Sequence, residues 1–98
     1  MDKKVEGFLR TYLDVEQAYD TSGYLRPTLL AFSEAYVQVI RNGLAEMVQN
    51  PDFSPSDYER LTGVEFPDEA SLRQYLRDMD AYLFGGAPAQ PAPPACRC

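Results

Sequence analysis

The chain of 98 residues contains no histidine, the side chain that proteins use most often as a general base and as a transition-metal ligand. Serine and cysteine triads therefore lack their usual base, and the common zinc sites lack a main ligand. Carboxylate pairs such as Asp78 and Asp80 are two residues apart on a predicted helix, so they point to different faces. We expect no catalytic residues, no cofactor, no metal and no enzymatic activity.

Long apolar runs are also missing. No stretch approaches the ~18 apolar residues of a membrane span, and the start Met-Asp-Lys-Lys is not followed by the apolar stretch of a secretion signal. The sequence has neither a glycine-rich phosphate-binding loop nor the alternating acidic pattern of a calcium loop. These absences predict a cytoplasmic protein that binds no nucleotide and no calcium.

Basic residues are scarce relative to acidic ones, and the formal net charge is −6. Because Arg97 is the only charged residue after position 86, residues 1–86 carry 8 basic and 15 acidic side chains and a net charge of −7. This excess repels nucleic acid and anionic membranes and favours a basic protein partner.

What the chain does contain is apolar periodicity typical of helices. A first helix begins after Asp2 and ends at the turn formers that start with Asp20. A second and longer helix runs from Pro27 to Asn50, and Gly43 on its apolar face indicates a close crossing with another helix.

Two further helices begin at recognisable caps. Ser54-Pro55-Ser56-Asp57 predicts a short helix that stops at Gly63, and Asp68 begins a last helix that ends at Gly85-Gly86. We therefore predict an all-α fold, a bundle of three main helices and one short helix that occupies residues 1–86.

Residues 87–98 form a proline- and alanine-rich segment without apolar periodicity, which predicts a disordered tail with extended geometry. The two cysteines of the chain, Cys96 and Cys98, lie at its end. Their spacing is too short to stabilise a core by closing a loop. They are therefore either incidental or functional through their reactivity. The Cys-Arg-Cys ending resembles the doubly prenylated terminus of Rab-type GTPases, but the chain has no nucleotide-binding motif.

Seven tyrosines and five phenylalanines occur without tryptophan. Most of these rings lie on the apolar faces and are expected in the core, whereas two tyrosines lie next to acidic residues and turn signals. Because tyrosine is favoured in binding surfaces, this second group is a candidate partner-binding surface, with ordinary packing as the alternative. Its residues are Asp20, Tyr24, Asp57, Tyr58 and Glu59.

Three hypotheses for function follow. The first is a non-catalytic protein that binds and neutralises a basic partner, as immunity proteins and antitoxins do. The second is a precursor of a ribosomally made peptide: residues 1–86 resemble a leader ending in Gly85-Gly86, and Cys96 and Cys98 would be modified by a partner enzyme. The third is an adaptor that forms oligomers through the apolar surface of the second helix.

Overall fold

The computed structural model describes residues 2–18 and 23–93 of the chain, and these residues form five α-helices and no β-strand. The predicted all-α fold is confirmed. In chain order the helices are α1 (Lys3–Tyr12), α2 (Leu25–Leu30), α3 (Glu34–Gln49), α4 (Pro55–Thr62) and α5 (Glu69–Phe84). No helix in residues 2–18 and 23–93 combines the length and the apolar character that crossing a membrane requires.

Helices α3 and α5 pack against each other most extensively, and α1 crosses α3 while also touching α4. The core lies between these helices. Helix α5 contributes its whole predicted apolar face, since the following six residues are all buried: Leu72, Tyr75, Leu76, Met79, Tyr82 and Leu83.

The two predicted caps are confirmed. At the start of α4, Ser54 and Asp57 form a reciprocal capping box, and Gly63 ends the helix in the left-handed conformation at φ 78°. At the start of α5, the Asp68 carboxylate accepts a hydrogen bond from the Ser71 backbone N–H at 2.8 Å.

The prediction of one uninterrupted helix from Pro27 to Asn50 is wrong. Helix α2 ends at Leu30, the backbone becomes extended at Ser33, and a new helix begins there because the Ser33 side chain accepts a hydrogen bond from the Tyr36 backbone N–H. The apolar periodicity continues across this break, so periodicity alone does not show it. The structure consequently has five helices in its described residues instead of four.

Helix α1 is also shorter than predicted, ending at Tyr12. The following residues form a turn in which the Asp14 carboxylate accepts a hydrogen bond from the Gln17 backbone N–H at 2.9 Å. The Val15 backbone N–H donates to the carbonyl of Thr62 at 2.9 Å. This loop is thereby fixed to the end of α4.

The close helix crossing predicted at Gly43 is confirmed. A Cβ atom at this position would lie 2.5 Å from Val5 Cγ2, well inside van der Waals contact. The absence of a side chain therefore allows α1 to lie directly on α3.

The described part of the tail, residues 87–93, contains no helix, and it contacts the body of the protein. Ala87 packs against the core and Pro93 is buried. The remaining tail residues, including Cys96 and Cys98, lie outside the described residues.

Candidate functional site

A cleft of about 380 Å³ opens where α1 crosses the C-terminal half of α3, next to the loop that leads into α4. Its apolar wall consists of Val5, Val39, Met47 and Phe53. Four carboxylates also line it, from Asp2, Glu46, Asp52 and Asp57, and Asn42, Gly43 and Asn50 complete the surface. Among residues 2–18 and 23–93, no lysine or arginine lines it. We call this feature the acidic cleft.

The apolar wall lies deep and most of the carboxylates lie near solvent. Val5, Met47 and Phe53 are buried, with Phe53 only 8% exposed. Asp2, Glu46 and Asp52 are exposed, and Asp57 is half-buried. A ligand entering the cleft would therefore meet negative charge first and apolar surface beneath it.

Arg73 of α5 fixes the loop that carries part of the cleft. Its Nη2 donates to the carbonyls of Asn50 and Phe53, at 2.7 and 3.4 Å. Its Nη1 lies 3.4 Å from the Glu69 carboxylate, and its side chain is 16% exposed. Since α3 has no basic residue in its last turn, Arg73 provides the positive charge favoured at a helix C-terminus.

The Asp57 carboxylate is part of the capping box at the start of α4. Its Oδ2 accepts hydrogen bonds from the Ser54 backbone N–H at 3.0 Å and from the Ser54 hydroxyl at 3.1 Å, and its Oδ1 accepts one from Arg60 at 3.0 Å. These bonds, with that from the Ser54 backbone first, hold the pKa of Asp57 below its ordinary value. Asp57 therefore stays ionised at neutral pH.

The carboxylates of Glu46 and Asp52, in contrast to that of Asp57, do not stabilise a helix end. Within residues 2–18 and 23–93, neither side chain forms an ion pair or accepts a hydrogen bond. Both lie at the C-terminal end of α3 or just after it, where the helix dipole is negative. Their charges are available to a ligand.

The residues predicted to form the partner-binding surface are not all on the surface. Asp57 lines the acidic cleft and Glu59 is exposed outside it. Tyr24 is half-buried before α2, where its hydroxyl donates to Gln17 Oε1 at 3.1 Å. Asp20 lies outside the described residues.

Tyr58 does not lie on the predicted partner-binding surface, because its side chain is fully buried and cannot touch a partner. Its ring lies edge-on to Phe53 and Phe66, with centroid distances of 6.3 and 5.6 Å. Burial, and then the neighbouring Tyr75, raise the pKa of Tyr58 well above its ordinary value. Tyr58 thus supports the wall of the cleft from behind, through Phe53.

Asp2, Glu46 and Asp52 were not predicted as site residues. They come from separate segments, and only the crossing of α1 over α3 brings them to one cleft. The one signal for this in the sequence is Gly43, which marks the crossing but not the charges around it.

The cleavage and modification site of the peptide-precursor hypothesis lies only partly within the described residues. Gly85 and Gly86 are exposed beyond the last turn, and Gly86 has φ 79°. Cys96 and Cys98 lie outside the described residues, so their predicted modification stays a prediction.

The described residues contain no group of three or more acidic or cysteine side chains that could hold a metal ion. The four carboxylates of the cleft therefore surround it without converging on one point. Comparison of the chain with protein-family models, curated proteins and solved structures finds no match.

Proposed function

We propose that this protein is a non-catalytic binding protein whose acidic cleft receives a basic side chain of a partner protein and so neutralises that partner. The observation that carries the proposal is one cleft in which the described lining residues supply four carboxylates and an apolar wall but no basic side chain. The cytoplasmic location expected from the sequence is part of the proposal.

The cleft suits the two-part chemistry of arginine and lysine side chains. Their hydrocarbon stems pack on apolar surface while their charged ends remain near water and carboxylates. In the cleft, the half-buried Val39 and the edge of Phe53 would contact the stem. Glu46 and Asp52 would pair with the charge.

Arginine fits this arrangement better than lysine or a metal ion. Its planar guanidinium presents five N–H donors and can reach carboxylates on more than one side. Because the carboxylates do not converge on one point, a compact ion would satisfy few of them. We therefore expect a preference for arginine over lysine.

The charge of the whole chain supports the same class of partner. A net charge of −6 increases the rate of encounter with a basic surface, and this effect weakens as salt increases. A protein of this kind inhibits by covering the basic surface of its partner, in the manner of immunity proteins and antitoxins.

The peptide-precursor hypothesis remains a second proposal. What favours it is the exposure of Gly85 and Gly86 immediately after α5, where the folded helix ends. Intact mass spectrometry of the protein from its native host tests it. A mass change on the cysteine-bearing end or a chain ending at Gly86 supports the hypothesis, and an unchanged full-length mass counts against it.

The acidic cleft is tested by calorimetric titration with an acetylated tetra-arginine amide and with its neutral tetra-citrulline analogue. The variant Glu46→Gln/Asp52→Asn should bind the arginine peptide about five- to tenfold more weakly, because two exposed charge pairs are each worth up to ~1 kcal/mol. Citrulline should bind weakly to every variant.

The matched control is Glu16→Gln/Glu65→Gln, which changes the net charge equally but alters exposed residues outside the cleft. This control should keep most of the wild-type affinity. Equal losses in the two double variants would show that only overall charge matters, and the proposal for the cleft would then be rejected.

A further inference from the structure

The tail is held next to the end of α5 by contacts that ligand binding in the acidic cleft does not require. After Gly86, Ala87 packs against the core, and the chain stays near the body as far as the buried Pro93. Gly85 and Gly86 themselves are exposed. The junction is thus a short exposed connection between two packed segments.

Arg26 of α2 is the side chain that joins these segments. Its Nε donates to the Tyr82 carbonyl at 2.8 Å, and its Nη2 donates to the Ala87 carbonyl. The guanidinium carbon lies 4.1 Å from the centroid of the Tyr82 ring. One half-buried side chain therefore binds the last turn of α5 and the first residue of the tail.

Both backbone hydrogen-bonding groups of Ala87, the N–H and the carbonyl, have partners in the body of the protein. Its N–H donates to the Ala81 carbonyl at 3.0 Å, and its carbonyl accepts the bond from Arg26. Gly86, with φ 79°, is not extended. An endopeptidase binds its substrate as an extended strand through the substrate's backbone groups. The Gly86–Ala87 bond cannot enter such a site while these contacts persist.

We propose that Arg26 controls proteolytic access to the Gly86–Ala87 bond. With Arg26 in place the bond is protected although its surroundings are exposed. When Arg26 is released, an endopeptidase that accepts small residues can hydrolyse the bond, with one water giving a carboxylate on Gly86 and an amino group on Ala87. The tail then separates from the helical domain. This proposal is independent of ligand binding in the acidic cleft.

Elastase, which accepts small residues at the cleaved bond, is the probe. Under native conditions, Arg26→Gln should increase the rate of cleavage of the Gly86–Ala87 bond about tenfold, as followed by intact mass spectrometry. Arg26→Lys should give an intermediate rate, because lysine keeps the charge but cannot span both carbonyls.

Arg77→Gln is the matched control, since Arg77 is exposed on α5 and forms no ion pair within the described residues. Its cleavage rate should equal that of the wild type. Hydrogen exchange separates a local effect from global unfolding: Arg26→Gln should speed exchange at the Ala87 amide and leave the α3 amides unchanged. An unchanged cleavage rate, or equal acceleration throughout the chain, would overturn the proposal.

Discussion

Gly43 shows how a single residue determines the placement of two helices. Its missing side chain leaves room for Val5, and an added Cβ would lie 2.5 Å from Val5 Cγ2. The replacement Gly43→Ala should lower the free energy of unfolding by up to about 2 kcal/mol, because overpacking destabilises by about 1–3 kcal/mol and the better helix propensity of alanine offsets about 1 kcal/mol of this. Urea unfolding measures the difference.

Gly7 provides the control, because it lies in α1 and, apart from its chain neighbours and the backbone of its own helix, no atom of the described residues lies within 4 Å of an added Cβ. Gly7→Ala should raise the free energy of unfolding by about 0.5–1 kcal/mol. Adding Val5→Ala should cost less in the Gly43→Ala protein than in the wild type, since the smaller side chain relieves the clash. Strictly additive effects would show that Gly43 and Val5 do not interact.

At the scale of helices and loops, Arg73 connects α5 to the loop that follows α3 through two backbone carbonyls. Because its side chain is largely buried and its bonds are charge-assisted, Arg73→Gln should destabilise the protein by about 1–2 kcal/mol. It should also weaken binding of the tetra-arginine peptide, since the loop carries Asp52 and Phe53. Urea unfolding and calorimetry check the two effects.

The control for Arg73→Gln is Arg77→Gln on the exposed side of α5, which should change stability by less than about 0.5 kcal/mol. If Arg73→Gln also left stability and peptide binding unchanged, the loop would be held by its own packing and not by Arg73.

The stability of the fold should depend on pH because carboxylates cap α4 and α5. Hydrogen bonds from Ser54 lower the pKa of Asp57, and those from Ser71 lower the pKa of Asp68. Each carboxylate therefore stabilises the fold above the pKa of the unfolded chain, about 4, and this contribution disappears as the pH falls through the lower folded value. Asp68→Asn keeps a capping oxygen but cannot titrate, so its stability should fall less steeply below about pH 4. Urea unfolding over a pH series that gave equal slopes would contradict this.

Helices with local signals at both ends could be predicted from the sequence. Ser54 and Gly63 delimit α4, while Asp68 and Gly85 delimit α5, and each signal acts within a few residues of itself. The break between α2 and α3 was missed, because the cap at Ser33 competes with an apolar pattern that continues through it. Where a local cap and a longer periodicity disagree, the structure follows the cap.

For the molecule as a whole, the acidic excess could be read from the sequence, but its arrangement could not. Asp57 was identified as a candidate because it lies near a turn, whereas Asp2 and Glu46 are distant in sequence and meet only after α1 packs on α3. Tyr58 was assigned to the surface for the same local reason, although tertiary contacts bury it completely. A site built from separate segments depends on packing that local patterns do not contain.

The central claim is that basic side chains bind in the acidic cleft and not merely near an acidic protein. Its most direct test is a titration of the ¹⁵N-labelled chain with the tetra-arginine peptide, followed by backbone amide chemical shifts in NMR spectra. We expect the largest shifts at Gly43, Met47, Asn50 and Phe53, with small shifts at Glu16 and Glu65. Shifts spread evenly over all acidic surfaces, or centred on Glu59 and the exposed side of α4, would contradict it.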